Sequence, residues 1–268
     1  KTAAFLLPIL HRLTEQPHDY IDTLILEPTR ELVVQVDQQL EGFSYFTGVS
    51  AIPVYGGRDG QSMEQERRAL KQGAAIIVAS PGRLIAHLNM GYVNLKHLRH
   101  LVLDEADRML DMGFAPDIMS IVNQLPRERQ TLLFSATMPQ QIRRFAKELM
   151  RQPVEISLQV SKPAENILQA VYEVEDDMKA ALTSHLLEGK QRLERIIIFA
   201  STKIKVKDLA GQLGRMGMNV ADVHSDLEQE VREERMRNFR SGALRIVVAT
   251  DVLARGIDVK GIDLVINY

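Results

Sequence analysis

Asp104, Glu105 and Asp107 follow directly on the apolar run Leu101, Val102 and Leu103. Two adjacent carboxylates can divide a hydrolysis between them, one holding a hydrated Mg²⁺ and the other taking the proton from an attacking water. Acids after a strand also serve as turn residues or helix caps, so the surrounding residues must decide. Lys1 and Thr2, followed by the helical AAFLLPIL, have the types that close a phosphate-binding loop, G-x-x-x-x-G-K-T. In such a loop Lys neutralises phosphate charge and the hydroxyl binds Mg²⁺. A bare Lys-Thr pair says little alone; it gains weight from the later acids, because phosphate loop and Mg²⁺ acid occur together in such enzymes.

A second group of residues suits a sugar-phosphate chain. Pro28, Thr29, Arg30 and Glu31 follow the run LIL, Gly56, Gly57 and Arg58 end another run, and Ser80, Pro81, Gly82 and Arg83 a third. Backbone amides, hydroxyls and guanidinium forks at several strand ends can grip phosphodiester oxygens, although Thr29 also reads as a plain helix cap. No aromatic platform is interleaved with these groups, which points to backbone grip with little sequence preference. Ser135, Ala136 and Thr137 follow TLLF. Their hydroxyls could bond Asp107 or cap a helix before Pro139. Further on, Gln229 and Arg232 share a helix face by their i, i+3 spacing. Thr250, Asp251, Arg255, Gly256 and Asp258 crowd the end of the run IVVA, as a functional turn or a structural ion pair. The histidines and the Met109, Met112 and Met119 group fit no metal-ligand spacing.

Short apolar runs alternate with longer amphipathic segments, the pattern of parallel α/β sheets, and place the acids at a strand's carboxyl end, where open α/β sheets bind ligands. The pattern occurs twice. LILEPTRELVVQVDQQL (24–40) has the shape of IIIFASTKIKVKDLAGQL (196–213), GVSAIPVYGG (48–57) of GMNVADVHSD (217–226), AIIVASPGRLI (75–85) of RIVVATDVLARGI (245–257), and LVLD (101–104) of LVIN (264–267). Four matches in one order argue for two copies of a doubly wound domain. Where the first copy carries Asp104 and Glu105, the second has Asn267 and Tyr268, so only the first copy offers an acid site. The expected division is a domain over 1–158, a short linker over 159–167 in the polar QVSKPAENI, and a domain over 168–268, with VEISL and ILQAVYEV as flanking strands.

Composition agrees with a soluble globular protein: 45% hydrophobic, 25% charged, net charge −2. No global basic field advertises a polyanion partner, so any such site is a local patch. The absence of Cys suits a reducing cytoplasm. The opening KTAAFLLPILHRL contains Pro8, offers no small-residue cleavage site, and reads as a helix rather than a signal peptide. No apolar stretch approaches membrane-spanning length.

In their order, PTREL, GG, SPGR in place of TPGR, DEAD, SAT, QxxR and ARGID resemble a DEAD-box RNA helicase across essentially the whole chain, and RMLDMGF points to bacterial members. The resemblance implies two tandem RecA-like parallel-sheet domains joined by a short linker, with ATP as substrate, Mg²⁺ as cofactor and RNA as partner. Lys1 would contact the β/γ-phosphates and Thr2 the metal. Asp104 would hold Mg²⁺ through water, and Glu105 would be the general base. Asp107 would pair with Ser135 and Thr137 to couple hydrolysis to RNA. Pro28, Thr29, Arg30, Gly57, Gly82 and Arg83 would bind RNA backbone from the first domain, and Gln229, Arg232 and Thr250 from the second. Gly256 and Asp258 would reach the nucleotide across the cleft, Asp258 at its ribose. RNA and ATP would each favour the closed arrangement, so that binding of one favours the other.

The departures lie at the ends. The adenine-reading Q segment and most of the phosphate loop would precede Lys1, and the arginine-finger motif HRxGRxGR would follow Tyr268. A finger of this kind contributes roughly 10³ to 10⁵ in rate, so the chain as printed is expected to be a fragment that hydrolyses ATP poorly or not at all. Ser80 for Thr keeps the hydroxyl, and Ser225 replaces the Gly of HGD. Two other readings stand beside the helicase. One is an RNA-binding fragment without catalysis; the other, a DNA-directed translocase, is disfavoured by DEAD followed by SAT.

Overall fold

Leu24 to Leu26, Ile76 to Val78 and Leu101 to Leu103 are apolar without alternation, as strands covered on both faces must be, and all of them are buried. In the computed structural model, which describes residues 1–16, 20–56, 60–158, 167–190, 192–250, 259 and 261–268, they form the centre of a parallel sheet. The chain divides into two units, Lys1–Ser157 and Leu158–Tyr268.

The first unit runs α1 (Thr2–Glu15), β1 (Thr23–Leu26), α2 (Arg30–Ser44), β2 (Ala51–Val54), α3 (Gly60–Gln72), β3 (Ile76–Ala79), α4 (Pro81–Asn89), β4 (His100–Leu103), α5 (Ala106–Asp111), α6 (Ala115–Val122), β5 (Gln130–Leu133) and α7 (Gln140–Leu149). Its strands lie in the order β2-β3-β1-β4-β5, all parallel, with Leu26 level with Ala79 on one side and with Leu103 on the other. Leu24, Leu26, Ile77, Leu101 and Leu103 pack with Leu84, Ile118 and Phe145 on one face. Ile25, Ile76, Val78 and Val102 pack with Phe5, Leu6, Val33 and Val36 on the other. The expected helix at the start of the chain is α1, which buries Phe5, Leu6, Ile9, Leu10 and Leu13 at helical spacing despite Pro8.

The second unit contains α8 (Lys179–Leu187), β6 (Ile196–Ala200), α9 (Lys203–Arg215), β7 (Val220–Val223), α10 (Gln229–Ser241), β8 (Ile246–Thr250) and β9 (Leu264–Asn267). Its order, β7-β8-β6-β9, reproduces β2-β3-β1-β4 element for element, so the sequence repeat is a structural one. Thr29 and Thr202 occupy equivalent turns. Each is extended, and each side chain caps its helix by accepting from the amide three residues on, Leu32 or Lys205.

Two expectations change. Aligning LVLD with LVIN equates Asp104 with Asn267, but Leu103 lies level with Leu26 and Asn267 with Phe199, each three residues before its capping threonine. The Asp104 amide donates to the Leu26 carbonyl and the Tyr268 amide to that of Phe199. Tyr268 therefore holds the place of Asp104, and the match slips by one residue. Secondly, VEISL and ILQAVYEV are not strands. Val154, Ile156 and Leu158 alternate as a strand should but are exposed, as are Ile167, Leu168 and Val171. A strand exists only when its amides and carbonyls find a ladder, and among the described residues neither segment has one. Of the expected linker, 159–166 lie outside the described residues.

Asp37 on α2 carries a cost in this packing. Burial first, and Glu41 one turn later, push its carboxyl up to about 6. The unfolded value lies near 4, so the folded state is penalised as pH rises through that window and unpenalised below it. Asp37→Asn is expected to raise the unfolding free energy by about 1–3 kcal/mol at neutral pH, with the gain gone near pH 4. Urea melts at the two pH values check this; equal stability of the two chains at neutral pH would contradict it.

Candidate functional site

Because every strand of the first sheet is parallel, all carboxyl ends meet at one edge, and the chemistry-bearing turns collect there. The turn after β4 is the most constrained. Asp104 continues the ladder by donating its amide to Leu26, while the Ala106 amide donates to the Phe134 carbonyl beyond β5. With both neighbours fixed, Glu105 must make the turn alone, and it does so in the left-handed region at φ 49°, ψ 47°. A non-glycine residue there costs of order 1–3 kcal/mol and persists only where its surroundings over-determine it, commonly at functional sites.

Asp104 is 7% exposed, and its Oδ1 accepts the Glu105 amide at 2.9 Å. Burial is the main influence on its carboxyl and pushes it up, against the Glu105 amide and the nearby ammonium of the Lys1 side chain. The Lys1 Nζ donates to the Ser135 carbonyl at 3.4 Å, so the first residue of the chain stands at the end of β5 beside the acids. Thr2 opens α1 there. Glu105 is turned back onto its own helix, where its Oε2 accepts from Nη1 of the buried Arg108 at 3.0 Å.

Asp107 ties this turn to the neighbouring strand end. Its Oδ2 accepts the Thr137 amide at 3.0 Å and the Thr137 hydroxyl at 2.8 Å. Ser135 Oγ donates to the Thr137 carbonyl at 2.6 Å, fixing the loop that presents Thr137. Burial raises the Asp107 carboxyl, but the bonds from Thr137, and then the Ser135 hydroxyl, outweigh it and hold the group below the usual aspartate value.

The other expected residues divide by what they touch. Gly82 is exposed in the first turn of α4, and a Cβ there would meet nothing within 4 Å, leaving the helix start open to an anion. The Arg30 guanidinium lies 4.9 Å from the centre of the Tyr55 ring. Pro28 is buried, and the Thr29 hydroxyl is used as a cap at 3.4 Å. Arg83 is not a freely presented cation: its Nε donates to Glu66 at 2.6 Å and its side chain is 17% exposed, while His87 meets the same carboxylate oxygen at 2.7 Å. In the second unit Gln229 and Arg232 bond each other in the first turn of α10, and Thr250 ends β8, at the same carboxyl edge of that sheet. Gly57, Gly256 and Asp258 lie outside the described residues, so the first unit's GG turn and the second unit's ARGID turn carry no geometry here.

Two residues join the site without being singled out from sequence. Glu27 follows β1 as Asp104 follows β4, the same apolar-run-then-acid signal, and it is fully buried with neither oxygen hydrogen-bonded. Burial, then Asp104 and Glu105, raise its carboxyl well above the ordinary range, with Arg108 opposing. Arg108 was legible as the i+3 partner of Glu105. No cluster of three or more His, Cys, Asp or Glu able to hold a metal exists among the described residues, and no helix among them is long and apolar enough to cross a membrane.

Residues 1–145 match the DEAD/DEAH box helicase family and residues 178–268 the helicase conserved C-terminal domain. The DEAD-box ATP-dependent RNA helicase CshA of Geobacillus kaustophilus is 42% identical over 269 residues, covering 100% of this chain and 56% of that protein. The ATP-dependent RNA helicase DeaD of Escherichia coli K12 is 42% identical over 270 residues, covering 100% and 42%. Among solved structures, S. cerevisiae Dbp5 bound to RNA and ADP BeF3 matches with a TM-score of 0.82 at 29% identity, covering 100% of this chain and 67% of that one. A DEAD box protein from Methanococcus jannaschii matches at 0.54 and 37%, covering 100% and 70%. The chain spans about half the length of the curated relatives it matches.

The tether at Asp107 sets a pH dependence. Its folded value lies below the unfolded one, so its contribution is complete above the ordinary aspartate range and disappears as pH falls through the lowered value. Asp107→Asn is expected to cost about 1 kcal/mol at neutral pH and progressively less as pH falls below the ordinary aspartate range. Denaturant melts across that range check it, and an equal cost at both ends would contradict it.

Proposed function

This chain belongs to the DEAD-box helicase family, and from that premise we propose that the protein carrying it couples ATP hydrolysis to local, largely sequence-independent separation of RNA strands. The observation that carries this reading is the left-handed turn at Glu105, which sets two carboxylates at the end of β4 beside the ammonium of Lys1.

In this reading Lys1 neutralises the β/γ-phosphates and Thr2, at the start of α1, offers its hydroxyl to the metal. Mg²⁺ fits the donor set. It keeps several waters and is bound through one or two carboxylates together with phosphates rather than by a protein cage, and Asp104 is a buried carboxylate whose charge burial disfavours and a cation would compensate. When bound, the ion draws negative charge off the phosphates. Glu105 orients the attacking water and accepts its proton. Asp107, Ser135 and Thr137 hold the acid turn against the end of β5, the path by which RNA binding reaches it.

RNA is held through its backbone. The open first turn of α4 at Gly82 supplies amides, Thr29 and Arg30 line the end of β1, and Gln229, Arg232 and Thr250 contribute from the second unit. Pro28 and Arg83 serve by shaping this edge, Pro28 from within the core and Arg83 through Glu66. Gly57, Gly256 and Asp258 retain the roles implied by resemblance, Gly57 toward RNA and the other two toward the nucleotide.

In the full-length protein, Glu105→Gln is expected to lose roughly 10²- to 10⁴-fold in RNA-stimulated turnover while still binding RNA with a nonhydrolysable ATP analogue. Turnover within threefold of the parent would refute the assignment.

A further inference from the structure

Glu66, on α3, is a carboxylate on which several turns of the first unit converge. Its side chain is 11% exposed. Oε1 accepts the backbone amide of Tyr55 at 3.1 Å. Oε2 accepts Nε of Arg83 at 2.6 Å and meets Nε2 of the buried His87 at 2.7 Å. Both oxygens are thus engaged, by groups from different elements. Tyr55 follows β2 and precedes the Gly56-Gly57 pair. Arg83 lies in the first turn of α4, next to the open Gly82. The ring of Tyr55 in turn faces the guanidinium of Arg30 at 4.9 Å, from the first turn of α2. Since β2, β3 and β1 are neighbours in that order, these are the three adjacent strand ends that carry the proposed RNA edge in the first unit.

A buried ion pair is weak evidence of stabilisation, but this one fixes a spacing. His87 anchors the carboxylate from the core side, its Nδ1 meeting the Tyr92 hydroxyl. Arg83 is steadied by a second bond, from Nη2 to Ser62 Oγ at 3.4 Å. The Tyr55 amide belongs to the backbone at the end of β2, so the carboxylate sets how far that strand end stands from the start of α4. Donors on separate turns grip one sugar-phosphate chain together only if the distances between the turns are held.

We propose that Glu66 is a positioning residue for RNA binding: its carboxylate locks the turns after β2 and β3, and through Tyr55 the Arg30 side chain, into a single backbone-gripping surface. The inference rests on those turns being where RNA binds.

The test is RNA-stimulated ATP turnover by the full-length protein, measured well below the melting temperature of each variant, with anisotropy of a fluorescein-labelled single-stranded RNA as the direct readout. Glu66→Gln keeps the shape but turns an NH2 group toward donors. It is expected to raise KM for RNA roughly 10-fold and to leave kcat at saturating RNA and KM for ATP within about twofold. Charge alone predicts the opposite sign, because removing a negative charge from a phosphate-binding edge tightens binding. A merely structural role would lower kcat by reducing the folded fraction and leave KM for RNA where it was. Glu66→Asp guards against a glutamine variant that does not fold. It keeps the charge, and the flexible guanidinium can follow the shorter side chain while the Tyr55 amide cannot, so KM for RNA is again expected to rise, by roughly 3-fold or more. Unchanged or tighter RNA binding in the folded variants, or a fall in kcat with KM for RNA unmoved, would overturn the inference. If RNA does not stimulate the parent, the reading of the edge fails as a whole; if it does and neither variant moves KM for RNA, only the role of Glu66 fails.

Discussion

The bonds between Asp107 and Thr137 are what the rest of the site depends on. They join the helix that follows one strand to the loop that follows its neighbour, and with the Ala106 amide on Phe134 they leave Glu105 only the left-handed conformation between a fixed strand and a fixed helix. Strain at that residue is tolerable because several independent bonds hold its neighbours. The same tether joins the end of β5 to the turn that carries both carboxylates.

Beneath the turn lies a simple topological cause. A sheet in which every strand is parallel puts all its carboxyl ends on one edge, so Lys1, the acids and the turns proposed to hold phosphates and RNA backbone, far apart in sequence, collect there. The second unit repeats the strand order of the first but places Tyr268 where the first has Asp104. One scaffold thus occurs twice, with the two carboxylates proposed for hydrolysis in one copy and Gln229, Arg232 and Thr250 toward the corresponding edge of the other.

Most of this was legible in the sequence because both-face burial leaves a signature that needs no partner to recognise: LIL, IIV and LVL read as strands and are strands. The repeat was legible for the same reason, down to the paired capping threonines, although its last segment slipped by one residue because LVLD and LVIN align equally well without the ladder. VEISL carried an honest strand pattern, but a strand requires a neighbour, which pattern cannot supply. The pairing of Arg83 with Glu66 was not legible, because Glu66 sits on another helix and no sequence spacing reveals it. Glu27 follows an apolar run as Asp104 does, but the helix-start residues Pro28 and Thr29 beside it give it the pattern of an ordinary turn.

The most direct measurement is phosphate release by the full-length protein at saturating ATP and RNA, comparing the parent with Thr137→Val, which keeps the side chain's shape and deletes the hydroxyl that reaches Asp107. If the tether holds the hydrolytic turn in place, turnover falls by about 10-fold or more with the fold intact. Undiminished turnover in a folded Thr137→Val protein would contradict the account.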